Sequence, residues 1–164
     1  MAAGLALQFA EFEGVLVRRV VVIGTTGSGK STLAERLAAQ NGLRVVELDA
    51  LFWGKDWQPV PLELFRHRVE RETKGDGWIV VGNYGQVRDL VWPNADTLIW
   101  LDLPLPVVMW RLVRRTVRRA ASKTELWGTG NRERYASECI PLAREKRVIR
   151  LQNKREVERF VTKH

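Results

Sequence analysis

The stretch Gly24-Thr25-Thr26-Gly27-Ser28-Gly29-Lys30-Ser31 decides the fold, because it is a complete G-x-x-x-x-G-K-[ST] phosphate-binding motif in its expected setting. The apolar run Val20–Ile23 enters it as a buried strand would, and a helix-forming run over 31–40 leaves it. Glycines let backbone N–H groups turn inward around a polyphosphate, and the positive end of the new helix points at the same place. The motif therefore predicts a nucleoside-triphosphate site where a strand passes into a helix.

The expected cofactors are ATP and Mg²⁺, and different residues of this motif are predicted to bind each of them. The side chain of Lys30 can reach the terminal phosphates, and the hydroxyl of Ser31 can ligate Mg²⁺. The nucleotide-binding positions predicted from the motif and the first helical turn are Gly24, Thr25, Gly27, Ser28, Gly29, Lys30, Ser31 and Thr32.

Composition is that of an ordinary globular domain. The 164 residues suffice for one domain with a sizeable core, and 28% of them are charged. The single cysteine, Cys139, excludes an internal disulfide and suits a reducing compartment. No apolar run approaches the roughly 18 residues of a membrane span. We therefore expect a cytoplasmic protein without membrane attachment.

The charge balance points to an anionic partner. The chain has 27 basic and 19 acidic residues, which gives a formal net charge of +8. Two interpretations compete: arginines that surround a multiply charged phosphate substrate, or a basic face that holds nucleic acid non-specifically. Charge alone does not separate them.

Short apolar and β-branched runs alternate with helix-like patterns along the chain. Strands are predicted at 18–23, 44–48, 78–81, 97–101 and 147–151. Helices are predicted over 31–40, from Pro61, over 105–121 and after Asn153, where Glu156 completes a capping box. This alternation predicts an α/β fold, the three-layer P-loop NTPase fold with a five-stranded parallel sheet. We expect a single domain over 18–164, with residues 1–17 as an extension or as part of strand one.

Several polar residues follow predicted strands at their carboxyl ends, where parallel sheets bind ligands. Asp49 ends strand two, Gly82-Asn83-Tyr84 follows strand three, and Asp102 ends strand four. A carboxylate such as Asp49 beside a phosphate site can orient an acceptor hydroxyl or a metal-bound water, or cap the next turn. Asp102 can act in the same site or cap the helix that begins at 105. We expect these residues to face the same crevice as the phosphate loop.

The chain lacks the D-x-x-G and [NT]-K-x-D elements of guanine-nucleotide switches, and its small size with later arginines favours a small-molecule kinase. Over 20–131 it resembles the adenylate-kinase-related proteins known as topology modulation proteins. The matching pieces are Gly24–Ser31, Leu48–Trp53, Gly82–Tyr84, Leu101–Pro104, Arg111, Arg115, Glu125–Trp127 and Asn131–Glu133.

This resemblance implies a nucleoside-monophosphate-kinase-like arrangement, with an acceptor site between strands two and three and an arginine-bearing lid after the strand-four helix. Gly82 with Arg88 resembles the Gly-Phe-Pro-Arg element at the acceptor phosphate of that group. Arg111 and Arg115 match positions that meet the nucleotide and the transferred phosphate.

One position departs from the pattern of these relatives. Many of them carry an aspartate just before the glycine, where it holds Mg²⁺ through water, and this chain has Val81. Metal positioning is therefore expected to depend on Ser31 with Asp49 or Asp102, or activity is weak.

Of the arginines within 111–119, some are predicted to contact the nucleotide and others to face solvent. Arg111 and Arg115 share one helix face, and Val108, Leu112 and Val113 are predicted on the packing side. The segment at about 122–134 is predicted to be a lid that delivers Arg132, because Gly128 and Gly130 permit hinge-like dihedrals. An ordinary surface loop is the alternative.

These observations favour transfer of the γ-phosphate of ATP to a small acceptor, a nucleotide or a similar metabolite. The predicted catalytic residues are Lys30, Asp49, Arg115 and Arg132, and Arg111 adds to the nucleotide site. The predicted acceptor site comprises Asp49, Trp53, Gly82, Asn83, Tyr84 and Arg88. The alternative is a non-catalytic or weakly hydrolysing nucleotide-binding protein whose basic face contacts nucleic acid. The sequence predicts no particular acceptor and no oligomeric state.

Overall fold

The structure, a computed structural model, describes residues 18–122 and 147–164. The predicted extension over 1–17, Cys139, Arg132 and the lid segment beyond Ser122 lie outside these residues. Within the described part of the chain, no helix is both long enough and apolar enough to cross a bilayer.

Five parallel strands form one sheet, as predicted. They are β1 Arg19–Gly24, β2 Arg44–Glu47, β3 Trp78–Val81, β4 Thr97–Leu101 and β5 Arg147–Leu151. The strand order β2-β3-β1-β4-β5 places β1, which leads into the phosphate loop, at the centre. The prediction for β2 was one residue too long, because the chain turns into a helix directly after Glu47.

Six α-helices are found in the described residues. They are α1 Lys30–Asn41, α2 Leu48–Phe52, α3 Leu62–Glu72, α4 Arg88–Val91, α5 Leu105–Ser122 and α6 Lys154–Lys163. The short helices α2 and α4 were not predicted. At the start of α6 the side chain of Asn153 accepts a hydrogen bond from the Glu156 amide, and Glu156 accepts one from the Gln152 amide, which confirms the capping box.

The strands alternate their side chains between two apolar layers, because successive residues of a strand point to opposite faces. Val20 and Val22 face the layer that contains residues of α1 and α6. Val21 and Ile23 face the layer that contains residues of α3 and α4. This arrangement confirms the three-layer α/β fold and brings the carboxyl ends of β2, β3, β1 and β4 to the edge where the phosphate loop lies.

Phe160 packs helix α6 on the sheet, where it is fully buried in the layer that also contains Leu33, Leu37 and Leu151. A substitution at this position therefore tests that packing. We expect Phe160→Ala to lower the free energy of unfolding by about 3–5 kcal/mol, because the lost ring leaves a cavity that close-packed neighbours fill only in part. Urea denaturation measures this change. Thr162→Ala, at an exposed position of the same helix, is the control and should cost about 0.5 kcal/mol or less. Equal effects in the two variants would contradict the packing described.

Candidate nucleotide and phosphoacceptor site

The phosphate loop connects β1 to α1 through a tight path that only glycines allow. Gly27 and Gly29 adopt positive φ angles of 85° and 97°, in the left-handed region that favours glycine. Gly24 lies against the end of β4, where an added Cβ would stand 2.7 Å from the carbonyl oxygen of Leu101. The amide of Ser28 donates to the carbonyl of Thr25 at 3.1 Å and closes the turn. The loop is therefore a shaped concavity at the amino end of α1, as an anion site requires.

Lys30 is held against this loop by hydrogen bonds to the loop backbone. Its Nζ donates to the carbonyl oxygens of Gly24 and Thr25 at 2.8 and 2.9 Å. Burial lowers the pKa of Lys30; nearby Asp49 and Glu47 raise it, and Arg115 lowers it further. The ammonium group therefore lies in the combined field of two carboxylates and a guanidinium, at the point where phosphates would bind.

Glu47 is a residue of this site that the sequence interpretation missed. It is the last residue of β2, and two positions earlier Val45 packs into the layer shared with α1. Burial raises the pKa of Glu47, and Asp49 raises it too, whereas a hydrogen bond with the Ser31 side chain and the charge of Lys30 lower it. The available signal was the spacing Glu47-Leu48-Asp49 at a strand end, combined with the two-residue period of a strand.

The half-buried carboxylate of Glu47 is expected to affect the stability of the fold. Glu47→Gln is expected to raise the midpoint of thermal unfolding at neutral pH, because the amide has no charge to desolvate. Since the folded-state pKa lies above the unfolded value, the charge destabilises the fold above the folded-state pKa and has no effect below the unfolded one. The advantage of the variant should therefore vanish as the pH falls through that window. Exposed Glu63→Gln on α3 is the control, and a less stable Glu47→Gln protein at neutral pH would contradict the sign.

Asp49 occupies the first turn of α2 rather than the end of β2, which corrects the predicted strand boundary. The hydroxyl of Tyr84 donates to its Oδ1 at 2.5 Å. Tyr84 follows β3, so this bond joins the carboxyl ends of two neighbouring strands. Asp49 is thereby oriented beside Lys30, on the side of the loop where an acceptor was predicted.

Arg88 and Asn83 form a second polar pair on the side of the loop where the acceptor was predicted. The Nη2 of Arg88 donates to Oδ1 of Asn83 at 3.0 Å, and the guanidinium lies 4.8 Å from the centre of the Trp92 ring. Its Nε is buried without a hydrogen-bond partner among the described residues. Gly82 has a φ of 121° and lies close to α2, where an added Cβ would stand 3.2 Å from the Cβ of Leu48. The predicted acceptor residues after β3 are therefore neighbours of Asp49, with a guanidinium fixed among them.

A cluster of aromatic rings lines the site beside Asp49 and Tyr84. Phe52 is the centre of this cluster, with ring centroids 4.8 Å from Trp53, 5.1 Å from Phe65 and 4.8 Å from Tyr84. Trp53 also packs edge-on against Trp57 at 5.5 Å. Trp53 therefore belongs to an aromatic cluster, and stacking on an acceptor ring stays a prediction.

A cavity of about 380 Å³ lies on the other side of the loop, between the loop, α1, α5 and α6. Nη1 of Arg111 donates to the carbonyl oxygen of Ser28 at 2.9 Å and so reaches the loop from α5. Arg36 and Glu158 pair through two hydrogen bonds of 2.9 and 2.8 Å. The polar or charged side chains that line the cavity are Ser28, Thr32, Arg36, Arg111, Arg115, Lys154 and Glu158. Of the cavity residues, the sequence interpretation missed Arg36, Lys154 and Glu158.

Among the described residues, the side chain of Asp102 forms no hydrogen bond to the first turn of α5, where capping was one expectation. Its Oδ2 accepts a hydrogen bond from Nε of Arg150 at 2.8 Å, and the two side chains form an ion pair. The first turn of α5 instead begins with the amides of Val107 and Val108 bonded to the carbonyl of Pro104. Asp102 is therefore engaged with the neighbouring strand.

These features define the chain as a member of the P-loop NTPases. Residues 20–145 match the family model AAA_33, described as an AAA domain, and the chain belongs to that family. None of the curated proteins is similar enough to match it.

Three solved structures share the fold. A sugar kinase from Janibacter sp. HTCC2649 is 20% identical with a TM-score of 0.54, over 89% of this chain and 91% of the other. A presumed kinase from Chloroflexus aurantiacus J-10-fl is 16% identical with a TM-score of 0.59, over 87% and 94%. A gluconokinase from Sinorhizobium meliloti 1021 is 18% identical with a TM-score of 0.51, over 88% and 91%. The fold is therefore that of P-loop kinases.

Proposed function

We propose that the protein is a phosphotransferase that binds ATP on the phosphate loop and transfers its γ-phosphate to a small hydroxyl-bearing or phosphate-bearing acceptor. The observation that carries this proposal is the meeting of Lys30 and Asp49. Tyr84 orients Asp49 on the proposed acceptor side by a hydrogen bond, and the charge of Asp49 raises the pKa of Lys30. The phosphate-binding cation and a candidate base therefore lie in one site. A simple nucleotide-binding module has no need of an oriented carboxylate there.

The nucleotide is proposed to occupy both the loop and the cavity beside it. A volume of about 380 Å³ falls within the range of small-molecule sites, roughly 300–1,000 Å³. Lys30 and the loop amides would hold the phosphates, with Arg111 and Arg115 at the junction of loop and cavity. The uncharged walls, Leu33 and Val157 among them, suit the nucleoside end.

The donor set of the site fits Mg²⁺. Mg²⁺ prefers oxygen ligands and is usually bound by one or two protein groups together with substrate phosphates. The hydroxyl of Ser31 and the carboxylates of Glu47 and Asp49, which both raise the pKa of Lys30, supply oxygen atoms beside the loop. No cluster of three or more metal-ligating side chains occurs in the described residues, in keeping with a metal that arrives with the nucleotide. When bound, the metal would neutralise charge on the phosphates.

Catalysis would consist of positioning and proton removal. The acceptor oxygen attacks the γ-phosphorus, the bond to the β-phosphate oxygen breaks to release ADP, and a hydroxyl acceptor passes its proton to the Asp49 carboxylate. Lys30 and Arg115 offset negative charge near the phosphates. Arg132 and a lid over 122–134 stay part of the proposal, although they lie outside the described residues.

A panel of acceptors identifies the substrate class. Nucleoside monophosphates represent the class implied by the resemblance to topology modulation proteins, and sugars with sugar acids represent the names of the solved kinases. We expect one class to stimulate ADP release from ATP well above the rate without acceptor. Equal ADP release with every acceptor and with none would favour a nucleotide-binding protein that hydrolyses ATP weakly.

Arg111→Ala is expected to weaken ATP binding by about 10–100-fold, the equivalent of one charge-assisted hydrogen bond. The reason is that Arg111 bonds the loop at Ser28 and lines the cavity at the same time. Isothermal titration calorimetry measures the affinity. Arg114→Ala, on the exposed side of α5, should bind ATP like the parent protein. An unchanged affinity in Arg111→Ala would place the nucleotide elsewhere.

A further inference from the structure

The turn over 53–59, which follows α2, holds two residues in a backbone conformation that non-glycine residues rarely adopt. Asp56 and Trp57 have φ angles of 55° and 56°, and among the described residues no other non-glycine residue has a positive φ. For a side chain as bulky as that of Trp57, this left-handed conformation is strained. Such strain persists only where the surrounding structure fixes it, and it is concentrated at ligand and active sites.

Backbone contacts within the turn fix this conformation. The amide of Gly54 donates to the carbonyl of Gln58 at 2.8 Å, and the amide of Gln58 donates to the carbonyl of Lys55 at 3.1 Å. At the two ends of the turn, Trp53 and Pro59 form an antiparallel bridge. The turn is therefore closed by its own backbone, which holds the strained residues in place.

This conformation packs the ring of Trp57 edge-on against Trp53. Their centroids are 5.5 Å apart, and their planes are inclined by 76°. Trp53 packs edge-on against Phe52 in turn, at 4.8 Å and 80°. Phe52 and Tyr84 pack against the buried layer that contains Phe65, and the two tryptophans continue the row of rings outward from Phe52. Both tryptophans are half-buried, so part of each indole is accessible.

The same row of rings leads inward to the proposed general base. Phe52 lies 4.8 Å from Tyr84 between ring centroids, and the Tyr84 hydroxyl donates to Oδ1 of Asp49 at 2.5 Å. The amide of Trp53 donates to the backbone carbonyl of Asp49 at 3.0 Å. The backbone and the ring contacts thus both tie the tryptophans to Asp49, on the side of the loop that we propose for the acceptor.

Two steeply inclined indole rings favour a saturated ring over a flat one. The face of an indole carries the negative part of its quadrupole and attracts the slightly positive hydrogens of C–H groups. A sugar ring is puckered and presents C–H groups in several directions, so it can contact both planes, whereas a flat nucleobase stacks on one plane only. A sugar also supplies the hydroxyl from which Asp49 would remove the proton.

We propose that Trp53 and Trp57 form the binding surface for the acceptor, and that the acceptor is a sugar whose ring lies against both indoles. This inference rests on the proposed function and names the substrate class of that same site. It favours sugars over nucleoside monophosphates as acceptors.

Saturation-transfer NMR on the full chain with saturating ADP tests the inference without turnover. The probes are a set of monosaccharides and a set of nucleoside monophosphates. We expect the ring C–H protons of a monosaccharide to receive saturation from the protein. Trp53→Ala and Trp57→Gly should each weaken binding of that sugar by about 10-fold, the scale of one lost aromatic contact. Glycine accommodates the φ of 56° at position 57, so this variant removes the ring without straining the turn.

Trp110→Ala is the matched control, because Trp110 is 67% exposed on α5, which follows β4 rather than β2 or β3. It should bind the sugar like the parent protein. All three variants should keep the parent affinity for ADP, measured by calorimetry. Loss of ADP affinity together with sugar affinity in the Trp53 and Trp57 variants would indicate a merely structural role and overturn the inference.

Other outcomes separate this inference from the proposed function. Binding of nucleoside monophosphates but of no monosaccharide, or sugar binding that survives both tryptophan substitutions, would overturn the inference. Phosphate transfer from ATP to a nucleoside monophosphate would then leave the phosphotransferase proposal standing. A sugar that binds at the two tryptophans, in a protein that transfers phosphate to no acceptor, would support the binding surface and overturn the proposed function.

Discussion

Lys30→Ala is expected to lower the rate of phosphoryl transfer by about 10²–10³-fold or more, because one preorganised cation at the phosphates is removed. The fold should stay intact, since among the described residues the Nζ group donates only to carbonyl oxygens of its own loop, and burial disfavours its charge. Steady-state kinetics with ATP, accompanied by a circular dichroism melt, measure both effects.

The matched control for this variant is Lys74→Ala, an exposed lysine that precedes β3 at the opposite edge of the sheet. It should turn over at the parent rate. If Lys30→Ala were folded and fully active, the phosphate loop would not be the site of the reaction, and the functional proposal would fail.

Asp49→Asn should reduce transfer to the acceptor by about 10²–10⁴-fold, the usual contribution of a general base. ATP affinity should change little, because Tyr84 fixes Asp49 on the side of the loop that we propose for the acceptor. Single-turnover transfer and calorimetric ATP binding separate these two quantities. The loss should be largest with an acceptor whose attacking hydroxyl must give up a proton.

Two further variants test the role of Asp49, one at its hydrogen-bond partner and one as a control. Tyr84→Phe removes the hydroxyl that orients the carboxylate and should reduce transfer by a smaller factor than Asp49→Asn. Asp76→Asn, at an exposed position before β3, should have no effect. Full transfer activity in Asp49→Asn would exclude Asp49 as the base.

The sheet and the phosphate loop could be predicted because their signals are local. The runs 20–23, 78–81 and 97–101 are apolar and rich in β-branched residues, and each enters the sheet with at most one residue of error. Helix α2 escaped prediction because five residues, Leu48–Phe52, are too few for a helical period to be recognised. As a result Asp49 was assigned to a strand end.

The partners of site residues could not be predicted, because they depend on which elements become neighbours. Arg150 meets Asp102 only because β4 and β5 are adjacent, with Trp100 beside Arg150 in the register. The charge of Lys30 lowers the pKa of Glu47 only because β2 and α1 share a layer. Sequence alone places neither pair together.

The buried face of helix α5 could be predicted only in part from the sequence. Val108 and Leu112 are buried as predicted, but Val113 is 51% exposed, so its predicted place on the packing side was wrong. The helix packs against the phosphate loop, where a Cβ on Gly27 would stand 3.2 Å from the carbonyl oxygen of Val108 and 3.6 Å from the Cβ of Leu112. Helical periodicity predicts which residues share a face of the helix, but the neighbouring elements decide how wide a part of that face becomes buried.

Transfer of label from [γ-³²P]ATP tests the central claim most directly. The acceptor class that stimulates ADP release is incubated with labelled ATP and the protein, and labelled products are separated from inorganic phosphate. We predict that label appears in the acceptor in amounts equal to the ADP formed, and that Lys30→Ala and Asp49→Asn abolish this transfer. Label found only in inorganic phosphate, at a rate indifferent to the acceptor and to Asp49, would contradict the assignment as a phosphotransferase.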